Sequence, residues 1–201
     1  MSTPRRPGRR IVAFTDHDGR SKFWAGTDEP AAVDFKTVPG LRSSVLWATG
    51  QAQLQSGSCP DPVLGLRSLH PQPGGSLFMT VTVPPDSVYA QPDFDPEGAA
   101  AEQARHLPGI AERMEADAPG FHRTDTIDYA IVLAGEIYLE VDSEEKRLRS
   151  GDCVVQLGGR HAWRNRGNKA ARLAFILLGA TRSAEDDSQI GVVPFFGRTV
   201  E

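Results

Sequence analysis

Short segments in which apolar and polar residues alternate dominate the second half of this chain. Between positions 136 and 142, Ile137, Leu139 and Val141 share one parity, and the residues between them are polar or amphipathic. Successive side chains of a strand point to opposite faces, so this pattern is typical of a strand with one buried face. A chain built from such segments forms sheets that must pack together or close into a barrel to bury their apolar faces.

The same alternation predicts about ten short strands and an all-β fold of the sandwich or barrel type. Residues 16–19 separate two of them as a hairpin turn that ends in glycine. The segment from Leu173 to Leu178 is apolar at nearly every position, which predicts a central strand. The predicted strands cover residues 10–14, 21–25, 45–49, 77–83, 127–133, 136–142, 145–149, 153–157, 161–165 and 173–178.

A helical insertion over residues 86–118 interrupts the strands. Asp95, Pro96 and Glu97 form a helix start, with a capping carboxylate, a proline at the first position and an acid near the positive end of the dipole. They predict a helix up to His106. Beyond it, apolar residues follow helical spacing: Leu107, Ile110, Ala111 and Met114. In a barrel this segment lies near the mouth, where it is a lid, a packing helix or a dimer contact.

Composition excludes several classes of protein. The longest uncharged apolar run, Leu173 to Ala180, is far shorter than the roughly 18 residues of a membrane span. The apolar run after the basic start, Ile11 to Phe14, is too short for a secretory signal. Two cysteines, Cys59 and Cys153, make no disulfide framework. We therefore expect a cytoplasmic protein without a membrane partner.

The charge pattern also argues against nucleic-acid binding. The chain has 22 Lys and Arg against 26 Asp and Glu, a net charge of −4. Four arginines lie among residues 5–10, but no nucleic-acid-binding motif follows them. We interpret these arginines as part of a solvated N-terminal tail.

One stretch brings together side chains that can carry chemistry. His122, Thr124 and Asp128 all have even numbers, so an uninterrupted strand would present them on one face. His161 follows after a hairpin and an edge strand. Inward residues of neighbouring strands meet inside a small barrel, so His122, Asp128 and His161 are candidate metal ligands and catalytic residues. Two imidazoles and one carboxylate suit Fe, Mn, Ni or Zn.

Other residues near these ligands are candidates for contact with a substrate. Thr124, Gln156 and Trp163 have the parity of the inward-facing set, although each also has an ordinary structural role. Residues 158–172 carry five positive charges and no acid, which would attract an anionic small molecule or simply form a solvated rim.

The motifs resemble those of the cupin superfamily, in its small single-domain form. His122 matches the first His of a cupin's first motif, and Asp128 stands in its Glu position, seven residues before Gly135. Gly151 and His161 match the second motif, as does an Asn four residues further on, Asn165. Thr124 occupies the place of the usual second His. The resemblance covers about residues 120–180.

The resemblance implies a cupin-type double-stranded β-helix, also called a jelly-roll barrel, as a single domain over residues 1–201. Within it we expect a flexible tail at 1–9, extra N-terminal strands at 10–83, the helical insertion or lid at 86–118, the core motifs at 120–180 and a C-terminal tail at 181–201. Small cupins commonly pair, so the resemblance also implies a homodimer, with the N-terminal strands 10–25 as the candidate edge.

Three hypotheses about function remain open at this point. The first is a metal-dependent cupin enzyme that acts on a carbonyl or enolate of a small organic molecule, as an oxygenase, decarboxylase, isomerase, cyclase or lyase. The second is a non-catalytic binding or sensing cupin that has lost its metal, which Thr124 favours. The third is a metal-free acid–base catalyst with His122 or His161 as base and Asp128 orienting it.

Overall fold

A computed structural model describes residues 9–24, 31–50, 57 and 60–182. Most of the two predicted tails, residues 1–8 and 183–201, and the predicted strand end at Ala25 lie outside the described residues. The described elements are β1 (Ala13–Thr15), β2 (Ser21–Phe23), β3 (Ala31–Asp34), β4 (Arg42–Thr49), β5 (Ser76–Val83), α1 (Pro96–His106), β6 (Thr126–Ala134), β7 (Glu136–Glu140), β8 (Glu145–Arg149), β9 (Cys153–Leu157), β10 (Ala162–Arg164) and β11 (Ala171–Gly179).

Two antiparallel sheets form the body of an all-β jelly-roll barrel, as predicted. The larger sheet has the order β3-β4-β5-β11-β6-β9, and the smaller has the order β10-β7-β8. Val132 of β6 and Leu173 of β11 pack in one core cluster with Ile137 of β7, so the apolar faces of the two sheets meet. The predicted central strand is confirmed, because β11 lies between β5 and β6.

The turn between β6 and β7 explains the glycine of the first motif. Gly135 has a φ of +79°, and a Cβ there would lie 2.8 Å from the carbonyl oxygen of Ala170. A side chain would therefore be strained by its backbone conformation and would also collide with the neighbouring chain.

The N-terminal region differs from the prediction in two respects. The hairpin of β1 and β2 is confirmed, but it forms a separate two-stranded ribbon, and the edges of the large sheet are β3 and β9. Arg10 is not part of a solvated tail. It is buried, pairs with Asp61 at 2.6 Å, and lies over the rings of Trp24 and Trp47.

The insertion is anchored to the barrel. The carboxylate of Asp95 accepts a hydrogen bond from the backbone N of Gly98, which caps α1 as predicted. Glu102 accepts hydrogen bonds from the backbone N–H groups of Lys36 and Thr37, and these bonds, with the Thr37 hydroxyl, lower its pKa to about 2. These contacts hold the helix against the loop that leads into β4.

The helical spacing predicted beyond His106 does not continue as a helix. Pro108 and Gly109, the latter with a φ of +85°, end the helix, and only a 3₁₀ turn follows at Ala111–Arg113. Leu107 and Ile110 instead pack against the barrel core around Met79 and Leu177, so this part of the insertion covers that part of the core.

Asn165, the last residue of the second motif, ties the end of β10 to β5. Its side chain is fully buried, at 0% exposure, and its Nδ2 donates to the carbonyl oxygens of Val83 and Lys169, both at 2.9 Å. Its Oδ1 accepts a hydrogen bond from the backbone N of Gly167. The motif residue therefore supports the fold of the barrel end.

We expect Asn165→Ala to lower the free energy of unfolding by about 2 kcal/mol, because the substitution removes a fully buried side chain and leaves three backbone groups without their partner. Urea denaturation followed by tryptophan fluorescence measures this change. The matched control is the exposed Asn168, whose replacement with Ala should change the free energy by less than about 0.5 kcal/mol. Equal effects of the two substitutions would contradict the structural role of Asn165.

Candidate active site

The two histidines of the motifs lie side by side, as predicted. The backbone N of His122 donates to the carbonyl oxygen of His161 at 3.0 Å, and the reciprocal bond is 3.1 Å long. This isolated antiparallel bridge joins the chain before β6 to the chain before β10. The two imidazole ring centroids are consequently 4.4 Å apart, with a tilt of 50° between the ring planes.

Each imidazole is held in one tautomer by a backbone carbonyl. Nδ1 of His122 lies 3.1 Å from the oxygen of Gly120, and Nδ1 of His161 lies 2.9 Å from the oxygen of Gly159. A carbonyl oxygen only accepts, so each Nδ1 carries the proton and each Nε2 keeps its lone pair. These two carbonyl partners could not be predicted from the sequence, because every residue type has a backbone carbonyl.

Both imidazoles are neutral near pH 7. Burial, and then the nearby His122, lower the pKa of His161 to about 4. Burial also lowers the pKa of His122 below its ordinary value. A pair of neutral imidazoles with free Nε2 lone pairs is the form in which histidine binds a transition metal.

Thr124 and Asp128 are buried on the inward face of the barrel, with the parity that was predicted. β6 spans Thr126–Ala134 and so contains the predicted strand 127–133, but it does not run back without interruption to His122, which lies in the separate bridge before it. Thr126, which has the same even parity, was missed as a site residue. Its hydroxyl donates to the Thr124 hydroxyl at 2.8 Å.

Asp128 faces Gln156 across the β6–β9 pair. Asp128 is 8% exposed, and burial raises its pKa to about 6, although the neighbouring Thr126 hydroxyl opposes this rise. Neither Oδ1 of Asp128 nor Nε2 of Gln156 has a hydrogen-bond partner among the described residues, and both atoms are buried. The β6–β9 pair thus carries, among the described residues, one buried acceptor and one buried donor without partners.

The predicted metal ligands do not all come together. Over residues 9–24, 31–50, 57 and 60–182, no three His, Cys, Asp or Glu side chains are grouped closely enough to hold a metal ion. The imidazoles of His122 and His161 still fit two positions around a divalent transition metal. Asp128 also does not orient either imidazole, because the backbone carbonyls already occupy both Nδ1 positions.

Trp163 lies between the site and the core. Its ring lies edge-on to the rings of His161 and Phe175, with distances between ring centroids of 6.4 and 5.5 Å. The side chain also packs against the core cluster of Val132 and Leu173. The ordinary core role of Trp163 is therefore present, and its contact with a substrate stays a prediction.

The basic segment after Gly158 is largely neutralised by acids that are distant in sequence. Arg160 pairs with Glu115 at 2.7 Å and with Asp142 at 2.8 Å. Arg164 pairs with Glu140 at 2.7 Å, and Arg166 pairs with Glu145. Residues 158–172 therefore attract anions less strongly than their local charge of +5 implies, because these acids compensate most of that charge.

A second concavity lies apart from the histidine pair. It has a volume of about 380 Å³ and is lined by segments around Thr49, Leu66 and Ser76. Among the described residues that line it, His70 is the one ionisable side chain, and its Nε2 already accepts the backbone N–H of Asp125 at 3.1 Å. The histidine pair therefore has the stronger chemical claim to be the functional site.

The fold and the site together define a jelly-roll barrel protein whose interior holds a pair of neutral histidines. Comparison with known proteins agrees, since the family model described as Cupin domain matches residues 113–177. The chain is 33% identical over 196 residues to the phomopsin biosynthesis cluster protein C' of Diaporthe leptostromiformis, covering 96% of this chain and 89% of the relative. The chain belongs to the cupin superfamily.

Two further comparisons cover less sequence or show lower similarity. A cupin-domain-containing oxidoreductase of Neurospora crassa, srdB, is 38% identical over 93 residues, which is 43% of this chain and 47% of the relative. The cupin domain of Schizosaccharomyces pombe Cnp3 has a TM-score of 0.43 at 12% identity, covering 87% of this chain and 89% of that one. Among the described residues, no helix is long and apolar enough to cross a membrane.

Proposed function

We propose that this protein is a biosynthetic cupin enzyme that transforms a small organic molecule beside His122 and His161. The observation that carries this proposal is the pair of neutral imidazoles, that of His161 buried and that of His122 partly buried, whose Nε2 atoms have no hydrogen-bond partner among the described residues. The relatives support the class of reaction, since several are named biosynthesis cluster proteins and others cupin-domain-containing oxidoreductases.

In this proposal, His122 and His161 would hold a divalent transition metal such as Fe, Mn, Ni or Zn. A metal bound there would supply Lewis-acid chemistry toward a carbonyl or enolate oxygen, or redox chemistry if it is iron. The chain's own contribution is to fix the tautomer of both imidazoles and to bury His161 fully and His122 partly. Asp128, with its pKa of about 6, accepts or donates a proton near neutral pH.

We expect purified protein to contain close to one equivalent of a transition metal, and we expect His122→Ala and His161→Ala to reduce this content below about a tenth of an equivalent. Elemental analysis measures the metal, and a chelator should lower the melting temperature of the wild-type protein alone. The exposed His17 provides the control, because His17→Ala should keep the metal. Metal-free wild-type protein with unchanged stability after chelation would contradict the proposal.

A second candidate function is metal-free acid–base catalysis in the same pocket. It is favoured by the missing third ligand among the described residues and by the raised pKa of Asp128. Here Asp128 acts as the acid or base, since the low pKa of His161 makes that imidazole a weak base. Turnover that survives exhaustive chelation and disappears in Asp128→Asn would favour this candidate over the first.

A further inference from the structure

Two unpartnered polar atoms on neighbouring strands suggest how the substrate is recognised. Asp128 and Gln156 are direct partners in the β6–β9 register, so their side chains stand next to each other on the inward face. Oδ1 of Asp128 and Nε2 of Gln156 are both buried without a hydrogen-bond partner among the described residues. Buried polar groups are nearly always paired, and each unpaired one costs about 1–3 kcal/mol. Such a pair indicates a ligand group that completes it.

We propose that Asp128 and Gln156 together bind a hydroxyl group of the substrate, which donates to Oδ1 of Asp128 and accepts from Nε2 of Gln156. This assignment rests on the proposed function, because it places the substrate in the same pocket. A hydroxyl satisfies both atoms through a single oxygen, since it is a donor and an acceptor at once. An ether lacks the proton for Asp128, and a carboxylate would bring a second negative charge against it.

The surroundings of this pair fit the apolar body of such a substrate. Leu177 is the β11 partner of Asp128, and Phe175 and Trp163 line the adjoining interior. Nearby, the two threonine hydroxyls bond to each other, and each histidine Nδ1 is bound to a backbone carbonyl. On the β6–β9 pair, Oδ1 of Asp128 and Nε2 of Gln156 are buried side-chain atoms without a partner among the described residues, in addition to the two imidazole Nε2 atoms.

The test compares three probes of similar size: phenol, anisole and benzoate. Ligand-observed NMR titration of the full chain at pH 7.5, with a chelator present, gives a dissociation constant for each probe. We expect phenol to bind about tenfold tighter than anisole, the value of one hydrogen bond, and benzoate to bind weakest. Equal binding of phenol and anisole, or no phenol binding up to about 10 mM, would overturn the proposal.

Variants assign the two hydrogen bonds separately. Asp128→Leu should remove the preference for phenol over anisole, because both probes then keep only the bond from Gln156. Gln156→Leu should weaken both probes about tenfold and keep the preference, and this variant decides alone if Asp128→Leu does not fold. The control is Val155→Ala, at a neighbouring position that is 62% exposed, which should leave all three constants unchanged. Variants that bind like the wild type would exclude these residues as the recognition pair.

The same samples separate this inference from the proposed function. The double variant His122→Ala and His161→Ala should lose metal but keep the preference for phenol. Asp128→Leu should keep the metal content of the wild type, because in this assignment Asp128 serves the substrate. Loss of metal in Asp128→Leu would show that Asp128 is a metal ligand and would overturn the assignment. A wild-type protein that holds no metal but prefers phenol would contradict the proposed metal-dependent function and leave the assignment intact.

Discussion

Replacing Asp128 with Asn is expected to raise the free energy of unfolding at pH 7.5 by up to about 3 kcal/mol. Burial raises the pKa of Asp128 from 3.8 to about 6, so the folded protein holds an ionised carboxylate at a cost that the unfolded chain does not bear. The carboxylate is only 8% exposed, so solvent screens little of this cost. An uncharged amide of the same shape removes it.

The stabilisation should depend on pH in a defined direction. Below pH 3.8 the carboxyl group is protonated in both states and the benefit of Asn disappears, and it grows as the pH rises through about 6. Urea denaturation of chelator-treated protein at pH 4 and pH 7.5 measures the difference. The exposed Asp117 supplies the control, since Asp117→Asn should change stability little at either pH. A destabilised Asp128→Asn variant at pH 7.5 would show that an unseen partner holds the carboxylate.

Acidification should destabilise the metal-free protein through His161 by about 3 kcal/mol between pH 7 and pH 4. Burial lowers the pKa of His161 from 6.5 to about 4, so its contribution to stability is complete above pH 6.5 and is lost as the pH falls toward 4. The imidazole is 2% exposed, which makes its protonation costly in the folded state. Replacement with the neutral side chain in His161→Gln should remove most of this loss.

The titrations of Asp128 and His161 have opposite signs over nearly the same pH range. In the wild-type protein they should largely cancel, so its stability changes little between pH 7 and pH 4 on their account. As the pH falls from 7 to 4, the free energy of unfolding should therefore decrease in Asp128→Asn, because His161 still titrates. In His161→Gln it should increase, because Asp128 still titrates. Denaturation curves across this range test both, with His17→Gln as the control. A wild-type-like pH profile in both variants would contradict the burial of these groups.

The cost of an ionised Asp128 is consistent with a functional role. A residue that lowers stability at neutral pH, and whose oxygen has no partner among the described residues, is retained more readily for binding or proton transfer than for packing. A gain in stability together with a loss of function in Asp128→Asn would therefore both show that the buried carboxylate serves function and not packing.

Much of the fold follows from local patterns in the sequence. Alternation places Thr124 and Asp128 on the buried face, and the Asp95 cap begins α1, because both depend on backbone geometry within a few residues. The expected helical continuation after His106 was wrong for an equally local reason. Pro108 and Gly109 end the helix, and Leu107 and Ile110 are buried by the barrel core instead.

The site itself depends on contacts between distant parts of the chain. The sequence suggested that His122 and His161 converge, but their bridge and the two carbonyl acceptors follow from the way the two segments pair. Likewise, Arg160 reads as an unbalanced charge until the fold brings Glu115 to it. Sequence neighbours cannot reveal these partners, because loop paths and strand order decide which segments meet.

The sequence by itself determined that Thr124 and Asp128 share one face and that the chain forms an all-β sandwich or barrel, because alternation and turn chemistry act over a few residues. The jelly-roll form of the barrel was implied by the resemblance of the motifs to those of cupins. Only the tertiary structure decided that Gln156 faces Asp128, that Arg10 is buried and that the imidazoles are neutral. The physical reason is that register and desolvation depend on every strand that closes over a side chain, and residue order along one strand does not specify them.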